Sequence, residues 1–103
     1  MRSRAAGVFV LSILLAASVR AATVRGRLVH KNGYPAGYIA VRVMHPQHGA
    51  SSFAYTGQDG MYYLYNIPGP TISLEIWLSN NNVLRYPINV VEPITDIVPI
   101  QVP

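Results

Sequence analysis

The chain has 103 residues with eight Lys or Arg, four Asp or Glu and no cysteine. That length allows one small domain behind a short leader, and with no Cys to staple it the domain must be held by packing alone. The formal charge of +4 belongs mostly to the first twenty residues, so the remainder is close to neutral. It lacks the clustered basic surface that nucleic acid requires.

Residues 1 to 21 read as a cleavable export signal. Arg2 and Arg4 give a basic start, and Ala5 to Ala17 is an almost wholly apolar run of about 13 residues. A bilayer span needs roughly 20. Val19-Arg20-Ala21 supplies small residues at the positions a signal peptidase reads, placing cleavage after Ala21. No Cys follows, which excludes a lipoprotein anchor. Cleavage leaves Arg25, Arg27, Lys31, Arg42 and Arg85 against Asp59, Glu75, Glu92 and Asp96, a formal charge of +1. The expectation is an exported protein, periplasmic or secreted. The absence of Cys and of Asn-x-Ser/Thr sites favours a bacterial envelope.

From residue 22 onward the pattern is two-residue alternation, broken by Gly, Pro and Asn every eight to twelve residues. That is the signature of a small β-sandwich or barrel. Thr23 to Val29 sets Val24, Gly26 and Leu28 against Thr23, Arg25 and Arg27. Lys31-Asn32-Gly33 is a turn, and Pro35 bars its neighbourhood from a central ladder. Ile39, Val41 and Val43 share one face of a second strand, and His45 to Gly49 is a loop. Ser52 to Thr56 is a third strand, joined through Gly57-Gln58-Asp59-Gly60 to a fourth at Met61 to Tyr65. Asp-Gly between alternating runs predicts a hairpin there. Ile67-Pro68-Gly69-Pro70 is a hard break. Thr71 to Leu78 faces Ile72, Leu74 and Ile76 one way and Ser73, Glu75 and Trp77 the other. Ser79 to Asn82 turns the chain, and Val83 to Val91 and Thr95 to Val102 complete about seven strands.

Three groups of residues carry a resemblance: Gly33-x-Pro35-Ala36-x-x-Ile39-x-Val41-x-Val43, Thr56-x-x-x-Gly60-x-Tyr62, and Asn66-Ile67-Pro68-Gly69. Together they resemble the carboxypeptidase regulatory-like domain over nearly all of residues 22 to 103. The resemblance implies a seven-stranded Greek-key β-sandwich of the prealbumin (transthyretin) kind. It also implies an accessory module that stabilises, spaces or binds and is not usually catalytic. Two departures stand out. Gly57 replaces an Asp or Asn that caps the turn, and Tyr38-Ile39 replaces a common Gly-Ala or Asn-Ala.

Catalytic chemistry finds little support. The histidines are His30, His45 and His48, the acids are scattered singly, and no spacing predicts a nucleophile–base pair or paired carboxylates. A purine-pathway hydrolase of this fold ends in Tyr-Arg-Gly-Ser, whereas this chain ends in Pro99-Ile100-Gln101-Val102-Pro103. His45 and His48, beside Met44, are weak metal candidates short of a third ligand; the plainer reading is two exposed loop histidines. No cofactor is expected.

The remaining feature is aromatic. The resemblance implies that Tyr62 and Leu64 point inward and Ile67 plugs the sandwich end; alternation then sends Met61, Tyr63 and Tyr65 outward, and Trp77 outward on its own strand. Phe53 and Tyr55 join that face if the hairpin register allows. An exposed face of this kind is a contact surface for protein, as a homo-oligomer or in a larger assembly. The alternative is a carbohydrate platform on Tyr and Trp with help from Asn80 to Asn82. The plainest reading is cross-strand Tyr pairs stabilising the sheet. An open edge at Val24 or Val102 would offer strand addition.

Overall fold

The computed structural model describes residues 21–103; the leader expected at 1 to 21 lies outside them except for its last residue, Ala21. Nine strand segments, and no helix, make up the described chain: β1 (Ala21–Val29), β2 (Ala40–His45), β3 (Gly49–Ala50), β4 (Ala54–Tyr55), β5 (Met61–Pro68), β6 (Thr71–Trp77), β7 (Val83–Asn89), β8 (Ile94–Asp96) and β9 (Ile100–Gln101). They form two sheets, one of β5, β1, β8 and β9 and the other of β3, β4, β2, β6 and β7. Four segments are halves of broken strands. β3 and β4 both pair antiparallel with β2, and β8 and β9 both run parallel to β1. The strand expected from Thr95 to Val102 is therefore split, with Pro99 just before its second half, where a missing N–H ends pairing.

The core lies between the sheets and is built from the alternation. Val24 and Leu28 of β1, Val41 and Val43 of β2, Tyr62 and Leu64 of β5, and Ile72, Leu74 and Ile76 of β6 are all buried. Leu84, Tyr86 and Ile88 of β7 pack against them. Alternation slips once, at Asn66, whose φ is +57°. There the register of β5 shifts by one residue against β1, between the partners of Ala22 and Val24. This bulge returns Ile67 to the inside, where it closes one end of the core.

The hairpin expected at Gly57–Gly60 forms its turn but not its ladder. Gly57 N donates to Met61 O, and Gly60 N to Gly57 O. Gly60 has φ +79°, and a Cβ there would meet Leu28 O and Ala36 N. Beyond the turn the arms part: β4 joins β2 and β5 joins β1. The turn thus carries the chain from one sheet to the other. Val24 is not at an edge either, since β1 lies between β5 and β8, and Val102 is buried with its N–H donated to Val29 O. The lateral edges are β5 and the short segments β8 and β9 in one sheet, and β7 and the short segments β3 and β4 in the other.

Candidate functional site

Of the six aromatic and methionine residues singled out by sequence, three lie on β5, two on the other sheet, and Phe53 in the loop between β3 and β4. Tyr63 and Tyr65 stand on the outer face of β5, 43% and 65% exposed. Their rings are near-parallel, with centroids 6.4 Å apart and planes 10° apart. Met61, on the same face, is half-buried. β5 has β1 on one side only, so this tyrosine pair lies along an open sheet edge. Beside it runs a groove of about 280 Å³ lined by Ser51, Ser52, Phe53, Ala54, Tyr63, Leu64, Tyr65 and Ile67. Phe53 thus reaches the pair across the seam between sheets, not along a shared ladder.

Trp77 and Tyr55 belong to the other sheet. Trp77 is half-buried, its ring edge-on to Phe53 at 5.7 Å. The Arg42 guanidinium lies over both rings, 4.8 Å from Phe53 and 5.1 Å from Trp77, a cation–π clamp. Arg42, Glu75 and Arg85 face one another in one row across β2, β6 and β7. Arg42 Nε donates to Glu75 Oε1 at 2.8 Å, Arg85 Nε to Oε2 at 3.2 Å, and Trp77 Nε1 to Oε1 at 3.1 Å. Only 4% of the Glu75 side chain is exposed. Burial pushes its carboxyl up, but the bonds from Arg42, Trp77 and Arg85 outweigh that and hold it below the usual carboxylate value. One face of Trp77 and one face of Phe53 are thereby engaged with a structural ion cluster.

Tyr55 and Trp77 do meet in a second cleft, of about 550 Å³, at the end of the larger sheet. His30, Tyr38, Ala40, Ser79 and Asn80 also line it. Tyr38 has φ +58°, a conformation that costs a bulky residue on the order of 1–2 kcal/mol. Thr56, fully buried, imposes it. Tyr38 N donates to Thr56 O, Ile39 N to Thr56 Oγ1, Thr56 Oγ1 to Ala36 O, and Thr56 N to Ile39 O. Sequence reasoning missed Tyr38 and His30 as lining residues. The available signal was the departure at Tyr38-Ile39, an aromatic where Gly or Asn is common.

The two candidate metal ligands part company. His45 is the last residue of β2 and is buried, which corrects its placement in an exposed loop. Its Nε2 lies 3.0 Å from Gly69 O, and its Nδ1 accepts the amides of Gln47 and His48. His48 is exposed, its ring 4.5 Å from that of His45. Among the described residues no three His, Asp or Glu gather as metal ligands would.

No family model and no curated protein matches the chain. Solved structures do. The backbone is similar to a DUF3823 family protein from Parabacteroides merdae ATCC 43184, with TM-score 0.58 and 14% identity over 82% of this chain and 46% of that one. It is similar to (S)-allantoin synthase, with TM-score 0.56 and 11% identity over 86% and 45%. It is also similar to the dioxygenase domain of a dioxygenase carbohydrate-binding protein fusion from the cellulolytic bacterium Streptomyces sp. SirexAA-E, with TM-score 0.53 and 16% identity over 82% and 84%. The chain spans a little under half the length of the first two. At these identities the likeness establishes the two-sheet β fold and nothing about activity.

Proposed function

We propose that this chain is an exported, non-catalytic module of the carboxypeptidase regulatory-like, prealbumin-like kind that binds protein in the bacterial envelope. The observation that carries the reading is the exposed, near-parallel Tyr63–Tyr65 pair on the open edge of β5, beside a groove that Phe53 shares. Two large rings held outward on a sheet edge present contact area at low entropic cost, as interface tyrosines do. Joining the halves of the broken strands leaves seven strands in two sheets, which supports the prealbumin-like assignment. Export rests on the leader, Arg2 to Ala21. The non-catalytic reading is supported by Glu75 and Asp96 being tied in ion pairs and by His45 being tied to backbone.

A carbohydrate platform on this same face has less support, because Trp77, its third ring, lies on the other sheet under Arg42. The test is the solution mass of the exported form by light scattering, beside a Tyr63→Ser/Tyr65→Ser variant. The expected result is a dimer or larger assembly that the variant reduces to a folded monomer. A monomer in both samples would overturn the assembly surface; an unfolded variant would show the rings to be structural.

A further inference from the structure

We propose that the cleft at the end of the larger sheet binds a neutral hexose chain, one sugar ring seated between Tyr55 and Trp77. This site lies apart from Tyr63 and Tyr65 and does not depend on the reading of that pair. Tyr55, Ala40 and Trp77 are register partners across β4, β2 and β6. Residues in one such row project to the same side of a sheet. Two aromatic side chains therefore flank a single methyl group. Their backbones stand two strand spacings apart, roughly 10 Å, which leaves a slot with ring walls and a shallow floor. The cleft holds about 550 Å³, within the usual range of small-ligand sites.

The lining chemistry selects the ligand. No Asp, Glu, Lys or Arg side chain lines the cleft, so it carries no fixed side-chain charge to offset the desolvation of a charged group. Yet it is not apolar, because His30, Ser79 and Asn80 border it. Asn80 Oδ1 accepts the Asn82 amide at 3.1 Å, which fixes that side chain and leaves its amide N–H groups to donate. A wholly hydrophobic ligand would strip water from these groups without replacing it. A sugar ring has apolar C–H faces for Tyr55 and Trp77 and hydroxyls for His30, Ser79 and Asn80.

Tyr38 adds an independent argument. The residue is 72% exposed, so the fold gains little packing from it. Its backbone is nonetheless held at φ +58° by the bonds around Thr56. Glycine would occupy that conformation without penalty. A strained residue whose side chain does nothing for the core is kept for something outside it, and this ring stands in the lining of the cleft.

The chain's single tryptophan makes the test direct. The full chain is titrated with cellopentaose, maltopentaose and mannopentaose, with pentagalacturonate and a proline-rich decapeptide as contrasts. Trp77 emission and the amide resonances of Ala40 and Asn80 are followed. At least one neutral pentasaccharide is expected to shift all three reporters and neither contrast to do so. Tyr38→Gly, which suits the backbone, should stay folded and bind roughly tenfold more weakly. Ala40→Leu should fill the floor and block binding. Silence toward all three neutral sugars, an equal response to either contrast, or binding that both variants leave intact would each overturn the proposal. Tyr63→Ser/Tyr65→Ser should leave this titration unchanged, whatever it does to association.

Discussion

Gly26 and Tyr62 compete for one volume. A Cβ on Gly26 would meet the Tyr62 hydroxyl and lie 2.8 Å from Cζ, and Tyr62 is among the largest fully buried side chains. Gly26→Ala should therefore overpack the core and destabilise by about 1–3 kcal/mol in urea unfolding. The Tyr62 hydroxyl has no hydrogen-bond partner among the described residues. Tyr62→Phe should then be neutral or stabilising by about 1 kcal/mol, since it removes a buried group that gains nothing from the fold. The same burial raises the phenol well above its ordinary value of 10.0. A pKa raised by folding means that the proton is held more tightly in the native state. Stability therefore does not vary with this group below pH 10 and falls as pH rises beyond it. Tyr62 should be missing from the native phenolate titration at 295 nm and appear only with alkaline unfolding. Tyr62→Phe should delete that late step.

At the scale of strands, the Arg42–Glu75–Arg85 row ties the outer faces of β2, β6 and β7 together. Because folding lowers the Glu75 pKa, its contribution is present above the usual carboxylate value of 4.5 and fades as pH falls below it. Glu75→Gln should cost roughly 1–3 kcal/mol at neutral pH and flatten the acid limb of a stability–pH profile measured by thermal unfolding. The bulge at Asn66 offers a second check. Asn66→Gly should be tolerated, whereas Asn66→Val puts a β-branched side chain at φ +57° and should lower stability by about 1–2 kcal/mol. Strand faces were legible in the sequence because alternation records burial directly: Val24, Val41, Tyr62, Leu74 and Ile76 all fall where it puts them. Partner choice was not legible. Asp59-Gly60 specifies a turn, and a turn fixes only its own few residues, so the sequence could not say that β4 and β5 diverge to opposite sheets. For the same reason the placing of Phe53 and Tyr55 beside Tyr63 hung on a hairpin register, and neither is on its ladder. Tyr38 escaped notice because strain is a property of φ, which no periodicity reveals.

In the whole molecule, the central strands should outlast the margins. β1 is flanked on both sides in its sheet, as are β2 and β6 in theirs, whereas β3, β4, β8 and β9 are two or three residues long. Native-state hydrogen exchange should find the slowest amides in β1, β2 and β6 and the fastest in the short segments. Uniform protection across all nine would contradict this arrangement. The position of β1 has a further consequence, for timing. One flank is supplied by β5, but the other comes from β8 and β9, which close on it at Arg25–Asp96 and Leu28–Ile100. The first sheet therefore cannot be finished until residues 94 to 101 have been made. Such distant closures belong to folds that form in milliseconds to seconds, not microseconds. Under the export proposal, a chain whose residues 94 to 101 still lag behind a membrane would carry an incomplete first sheet.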